Sequence, residues 1–414
     1  MKKIYLFVIG MALLGTLRAQ RTDPFLDKLL REHGSPQLLH VLDNPDSFRV
    51  QILYTKIERE NGGGERFKNY AYRYNPEEYF NPASTVKLPI ALLALEKVHS
   101  LERYGVDKDS PMLTDSSYSG QETVHEDSTA ANGLPSIAQY VRRIFLISDN
   151  DAYNRLYEFL GQDYIHKRLW EMGYKDVRIT RRFHPLTEDE NRHTSQIRFL
   201  GKDGKIIYTQ PAAEGHVAFE FGAPVLIGKG HWDAHDSLIN TPMDFTRHNN
   251  LPLGDLQQLL QSVLYPESVP PLKRFRLTEA DLAFLRQYMS EKPSESAHPK
   301  YDTTEYFDSY TKFFFFKAGR GSIPPYIRSF NKPGWSYGFL TDVAYIVDFK
   351  NNVDFMLSGT IYVNRDGILN DDKYEYDEVG YPFFKEVGEI IYQYELGRKR
   401  HVKADLHQFK ISYD

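Results

Sequence analysis

Between residues 47 and 74 the chain alternates apolar and polar positions in two runs, SFRVQILYTKIERE and RFKNYAYRY. The break between them is NGGG, so the segment predicts a β-hairpin. Ahead of it, DPFLDKLLREHG has helical spacing, with Asp23 as cap, Phe25, Leu29 and Leu30 on one face, and Gly34 as the stop. The period then changes to that of helices, at 84–99, 136–147, 151–160 and 163–172. A polar, glycine-containing region covers about 195–250, and helices return at LGDLQQLLQSVL and TEADLAFLRQYM. Three C-terminal runs, KFFFFKAG, YGFLTDVAYIVDF and VDFMLSGTIYV, read as strands, and YPFFKEVGEIIYQYEL reads as an amphipathic helix.

Strands at both ends around a helical middle predict an α+β fold. In it an antiparallel sheet from N- and C-terminal strands carries flanking helices, plus an inserted all-helical domain. The α/β part spans about 20–80 and 300–397 and the helical part about 81–299, with an insertion at about 195–250 and a polar tail at 398–414.

Composition narrows the function classes. The 414 residues are 41% hydrophobic, enough for a substantial core. A net charge of -5 argues against nucleic acid as a partner, because phosphate binding needs concentrated positive charge. With no cysteine there is no disulfide, thiolate nucleophile or Cys-ligated metal. MKKIYLFVIGMALLGTLRAQ has a basic start, a short apolar run and a small-residue end, so residues 1–19 read as a removable export signal. The expected location is periplasmic or secreted, with no stable membrane span after signal cleavage.

Three short motifs could carry chemistry. In NPASTVKLPIALLALEKV, Ser84 lies three residues before Lys87 at the start of an apolar helix, so both share one face. A helix N-terminus favours an oxyanion, and apolar surroundings favour a neutral, basic lysine. The same spacing occurs at Ser309/Lys312 and Ser329/Lys332, and alone it indicates little. Ser148-Asp149-Asn150 falls between two helices, where Ser and Asp would cap in any case. Lys317-Ala318-Gly319 ends the run KFFFF, with small residues that permit close approach of a ligand.

Taken in order, S-x-x-K, S-D-N and K-x-G on helix, helix–helix loop and strand resemble the class A β-lactamase and penicillin-binding-protein superfamily. Ser148 follows Ser84 by 64 residues, and the two last strands with their terminal helix are also similar to that family's. The resemblance implies a serine hydrolase that cleaves an amide, of β-lactam or D-alanyl peptide type, through an acyl-enzyme on Ser84. Lys87 would accept the proton, Ser148 would pass one to the leaving nitrogen, and Asn150 would bind the acyl side chain. Lys317 would meet a substrate carboxylate, and the Ser84 and Arg320 N–H groups, beside Gly319, would form the oxyanion hole.

Two departures stand out. Ala318 replaces the family's hydroxyl residue, with Arg320 as a charged substitute. In TRRFHPLTEDENRHTSQI, His184 stands where the family's deacylating glutamate falls, making it the candidate deacylation base. Glu188, Asp189 and Glu190 follow it. Without that glutamate an acyl-enzyme would persist, as in penicillin-binding proteins. GHWDAHDS brings His231, Asp233, His235 and Asp236 together, but its glycines argue for a loop, and neither a metal nor another cofactor is expected. The alternative function is a non-hydrolytic module of the same fold that binds a cell-wall ligand or a partner.

Overall fold

The hairpin forms as its alternation requires, with β1 at Gln51–Arg59 and β2 at Glu65–Tyr72 paired antiparallel. It belongs to a computed structural model that describes residues 20–60 and 64–413. The expected export signal and most of the NGGG tip lie outside the described residues. Three C-terminal strands, β3 (Ile327–Ser336), β4 (Phe339–Asp348) and β5 (Val353–Tyr362), complete a five-stranded antiparallel sheet in the order β3-β4-β5-β1-β2. The N-terminal hairpin joins the C-terminal strands where Gln51 faces Thr360.

Among the described residues ten helices accompany this sheet: α1 (Pro24–His33), α2 (Pro36–Asp43), α3 (Lys87–His99), α4 (Ile137–Leu146), α5 (Asn150–Leu160), α6 (Gln162–Glu171), α7 (Glu188–Arg192), α8 (Leu253–Leu264), α9 (Glu279–Ser290) and α10 (Tyr381–Gly397). Alternation along the strands divides the buried residues into two cores. Ile52 and Tyr54 of β1 pack with α1, α2 and α10, whereas Leu53 and Ile57 pack with α3, α4 and α5. Helix α3 lies at the centre of the second core, with Leu88 and every residue from Ile90 to Leu95 at 0% exposure. Pro89 is accommodated because it is the third residue of that helix, before its N–H would be needed. Asp23 occupies the cap position of α1 but spends its carboxylate on the Ala71 N–H of β2, 2.7 Å away.

Two expectations are corrected, and the tail gains a place in the fold. The KFFFFKAG run is not a strand: Phe315 adopts φ 68°, which folds the chain back and buries all four phenylalanines in the core beneath α10. An extended run would have sent alternate rings to opposite faces. The strand that precedes β4 is instead β3, at the edge of the sheet, whose residues Asn331-Lys332-Pro333-Gly334 break the apolar pattern. The helical portion is not all-helical either, since Met112–Asp115, Gln196–Leu200 and Ile206–Gln210 form a small antiparallel sheet within it. Finally, the polar tail is docked, with Phe409 fully buried against Tyr265, Phe330 and Tyr345. Among the described residues no helix is long and apolar enough to cross a membrane.

Candidate active site

Ser84 sits in a tight turn, Ala83–Val86, that runs directly into α3. Ala83 before it has φ 43°, a left-handed conformation unusual for a residue with a Cβ. Asn81 and Pro82 hold the turn: the Asn81 Oδ1 accepts the Ala83 N–H at 3.1 Å, and Thr85 donates its hydroxyl to the Pro82 carbonyl at 2.6 Å. Ser84 remains half-exposed while the residues around it are buried.

One turn later Lys87 is fully buried. Its Nζ donates to the Ser148 carbonyl and to Asn150 Oδ1 at 2.7 Å, lies 3.4 Å from Ser148 Oγ, and rests 4.8 Å from the centre of the Phe183 ring. Burial pushes its pKa down to about 7, against the pull of Asp149 and Asp151. A neutral amine is therefore accessible at ordinary pH, as a general base requires.

Ser148-Asp149-Asn150 serves two purposes at once. Asp149 is the cap of α5, accepting the Ala152 N–H at 2.8 Å, and Arg143 binds its other oxygen at 2.7 Å. That cap anchors Ser148, whose φ of 58° turns its side chain and carbonyl toward Lys87, and it places Asn150 as the first helical residue. The aspartate caps the helix, and its neighbours Ser148 and Asn150 both reach the Lys87 amine.

The third motif is not where the sequence placed it. Lys317 Nζ donates to the Tyr310 carbonyl at 2.9 Å, inside a cage of Phe307, Tyr310, Trp335 and Tyr381. Gly319 lines an 840 Å³ cavity with residues of α1 and α10, and Arg320 lies over Phe307 and reaches only the Thr304 carbonyl. None of these three meets Ser84 or Lys87. The lysine that does reach the site is Lys332 on β3, fully buried, with Nζ 2.8 Å from Ser148 Oγ and 2.8 Å from the Pro333 carbonyl. Burial, reinforced by nearby Lys87, holds its pKa far below the usual lysine value.

Lys332-Pro333-Gly334 is thus the K-x-G that lies against Ser148 and the Ser84 turn. Gly334 is required by contact, because a Cβ there would come within 2.7 Å of both the Pro82 carbonyl oxygen and the Ser84 nitrogen. The β3–β4 hairpin closes through Tyr337 (φ 54°) and Gly338 (φ 81°), with Ser336 paired to Phe339. Alternation from that turn directs the Gly334 and Ser336 backbone groups toward β4 and the Trp335 N–H outward, off the open edge of the sheet beside the Ser84 turn. Trp335, not Arg320, therefore supplies the donor that can join the Ser84 N–H. The sequence held one usable signal: Lys332-Pro333-Gly334 lies just before YGFLTDVAYIVDF, within hairpin distance of that strand, whereas Lys317 lies well upstream.

Behind Lys332 is a polar cluster that sequence reasoning did not find. Lys312 Nζ donates to Asn331 Oδ1 at 2.8 Å, and Asn331 donates to Asp342 at 2.9 Å. Asp342 is fully buried, which pushes its carboxyl up to about 6. The lysines of both spare S-x-x-K matches, Lys312 and Lys332, are thus buried around the site.

A cleft of about 440 Å³ opens beside the Ser84 turn, lined by Ala83, Asn150, Ser336 and Tyr337 and by the loop residues Arg181 to Leu186. His184 is an exposed residue of that wall. The acids that follow it are engaged elsewhere: Glu188 with Arg247, Asp189 with Arg192, and Glu190 with Thr187 and Ser119. Arg182 is sealed in a buried pair with Glu158, and Phe183 occupies the space next to Lys87. In the GHWDAHDS segment, Asp233 accepts the N–H groups of His235 and Ser237. No cluster of three metal-ligating His, Asp or Glu side chains occurs among the described residues.

Comparison with known proteins gives one family and a set of structures to which the chain is similar. Residues 44–213 match the model of the beta-lactamase enzyme family. No curated protein matches the chain in sequence. Solved structures similar to it include a beta lactamase from Burkholderia vietnamiensis, at 13% identity over 90% of this chain and 96% of that one, TM-score 0.49. Others are a beta-lactamase from Sphaerobacter thermophilus, at 15% identity over 87% and 97%, TM-score 0.45, and one from Burkholderia phymatum, at 13% over 86% and 95%, TM-score 0.47. At these identities and scores they bear on neither activity nor substrate. The segment that resembles the beta-lactamase enzyme family, residues 44–213, is the one that carries Ser84, Lys87, Ser148 and Asn150.

Proposed function

We propose that the protein is an exported serine hydrolase that cleaves an amide, of β-lactam or D-alanyl peptide type, through an acyl-enzyme on Ser84. The observation that carries this reading is the convergence of two buried lysines, Lys87 and Lys332, on Ser148 beside the Ser84 turn. A binding module has no use for two desolvated amines around a serine hydroxyl.

In the first step Ser84 Oγ attacks the carbonyl carbon and its proton passes to neutral Lys87. The carbonyl oxygen becomes an oxyanion facing the Ser84 and Trp335 N–H groups; one such donor is typically worth about 3 kcal/mol. Collapse breaks the C–N bond. The leaving nitrogen takes a proton from Ser148 Oγ, which is replenished from Lys87, while Lys332 fixes the orientation of that hydroxyl. Asn150 holds the amide of the acyl side chain. Water must then attack the ester. Among the described residues the loop carboxylates Glu188, Asp189 and Glu190 are all engaged, and His184 is the exposed histidine on that wall of the cleft. Deacylation is accordingly slow.

The test is intact-protein mass spectrometry of residues 20–414 with benzylpenicillin, followed over time, with Ser84→Ala as control. A lasting adduct on the wild type alone supports the reading. A transient adduct with hydrolysed drug would assign a deacylating base, with His184→Ala the next variant. No adduct and no turnover would favour a ligand-binding module instead.

A further inference from the structure

Few groups in the cleft beside Ser84 can take an anion. Lys87 and Lys332 are buried and committed to Ser148. The strand wall offers the hydroxyls of Ser336 and Tyr337, which carry no charge. On the loop wall Arg182 is closed off by Glu158.

Arg181 differs from all of these. Its Nη1 lies 2.9 Å from Nε2 of His248, and among the described residues no carboxylate comes within ion-pair distance of it. His248 does not neutralise it, because burial, with the Arg181 charge adding to it, pushes the ring down to about 3 and leaves the imidazole uncharged. A half-buried guanidinium that ends on a neutral acceptor keeps donors for a carboxylate, which it can bind in a bidentate fork.

Its position indicates which part of a substrate it would meet. Arg181 and His248 line both the Ser84 cleft and an adjoining cavity of 500 Å³ that holds Phe219 and Phe221 from the inserted region. The acids in that second cavity are occupied, Glu188 by Arg247 and Asp244 by Thr246. Asn150, which reads the acyl side of the substrate, lines the same cleft as Arg181.

We infer that Arg181 recognises a carboxylate on the acyl side of the substrate, with the apolar remainder of the acyl group running toward Phe219 and Phe221. The substrate class is an acyl amide that carries an anionic acyl side chain. This gives the insertion a role as the outer wall of the acyl site, and it rests on the reading of Ser84 as nucleophile.

The experiment measures the second-order rate of acylation by two probes, phenylacetamido-penicillanate and its α-carboxy derivative, on wild type, Arg181→Gln and Arg181→Lys. On the wild type the carboxylated probe should react at least tenfold faster, with the difference in the half-saturating concentration. In Arg181→Gln the ratio of the two rates should fall to within threefold of one, and Arg181→Lys should recover part of it. Equal rates on the wild type, or an unchanged ratio in Arg181→Gln, would overturn the inference and leave the Ser84 reading intact. Acylation by neither probe would sink the Ser84 reading, and the inference with it.

Discussion

Gly334 presses against the backbone of the nucleophile turn, so one methyl group there should be felt by the chemistry. In Gly334→Ala the new carbon would meet the Pro82 oxygen and Ser84 nitrogen at 2.7 Å, and backbone on both sides must shift. The acylation rate should drop about a hundredfold, the usual effect of a misplacement near 1 Å; an unchanged rate would mean that β3 does not set the oxyanion site. Lys87 gives a second expectation. As a base it works only when neutral, and with a pKa of about 7 its neutral fraction rises as pH rises through that value. The acylation rate measured from pH 5 to 9 should therefore climb with an inflection near 7. A flat profile, or one that falls with pH, would assign the proton to another group.

The elements show where the sequence was legible. Helices α3 to α6, α8, α9 and α10 were readable because each keeps a periodic apolar face or is apolar throughout, and the β1–β2 hairpin because its period of two is clean. Strand β3 was not readable. Its site-facing residues Lys332 and Gly334 and the intervening Pro333 serve the cleft, and such residues erase the signature of a buried strand. Conversely, Phe313 to Phe316 have a strand's composition without its conformation, since burial of all four rings beneath α10 outweighs local preference. The K-x-G was assigned to Lys317 for that reason. The cap of α5 offers a test at this scale. Asp149→Ala removes the Ala152 cap and leaves Arg143 with Asp127 alone, so unfolding free energy should fall by about 1–2 kcal/mol, with loss of acylation because Ser148 loses its anchor. A stable variant with normal acylation would show that the cap does not position the motif.

At the scale of the molecule, the unusual feature is the number of buried amines. Burial pushes Lys87, Lys97 and Lys312 to about 7, and Lys332 further down. Unfolded lysines titrate near about 10.4, so between about pH 7 and 10 the unfolded chain binds more protons than the folded one. Stability should rise with pH across that window, then turn over as buried tyrosines such as Tyr79, pushed up by desolvation, are forced toward ionisation. The urea midpoint should be higher at pH 9 than at pH 7, and Lys97→Met, remote from the cleft, should make the slope shallower. Equal midpoints would show that these amines stay charged in the fold.

The central claim is that Ser84 is acylated in a site completed by Lys332. It is tested most directly by the acylation rate with benzylpenicillin, read by intact mass, in wild type, Ser84→Ala, Lys332→Ala and Lys317→Ala. The structure predicts no adduct on Ser84→Ala and a rate at least a hundredfold lower in Lys332→Ala. Lys317→Ala should stay within a few-fold of the wild type while losing about 1–2 kcal/mol of stability with its aromatic cage. An adduct that survives Ser84→Ala, or a loss of acylation that follows Lys317 and spares Lys332, would contradict the account.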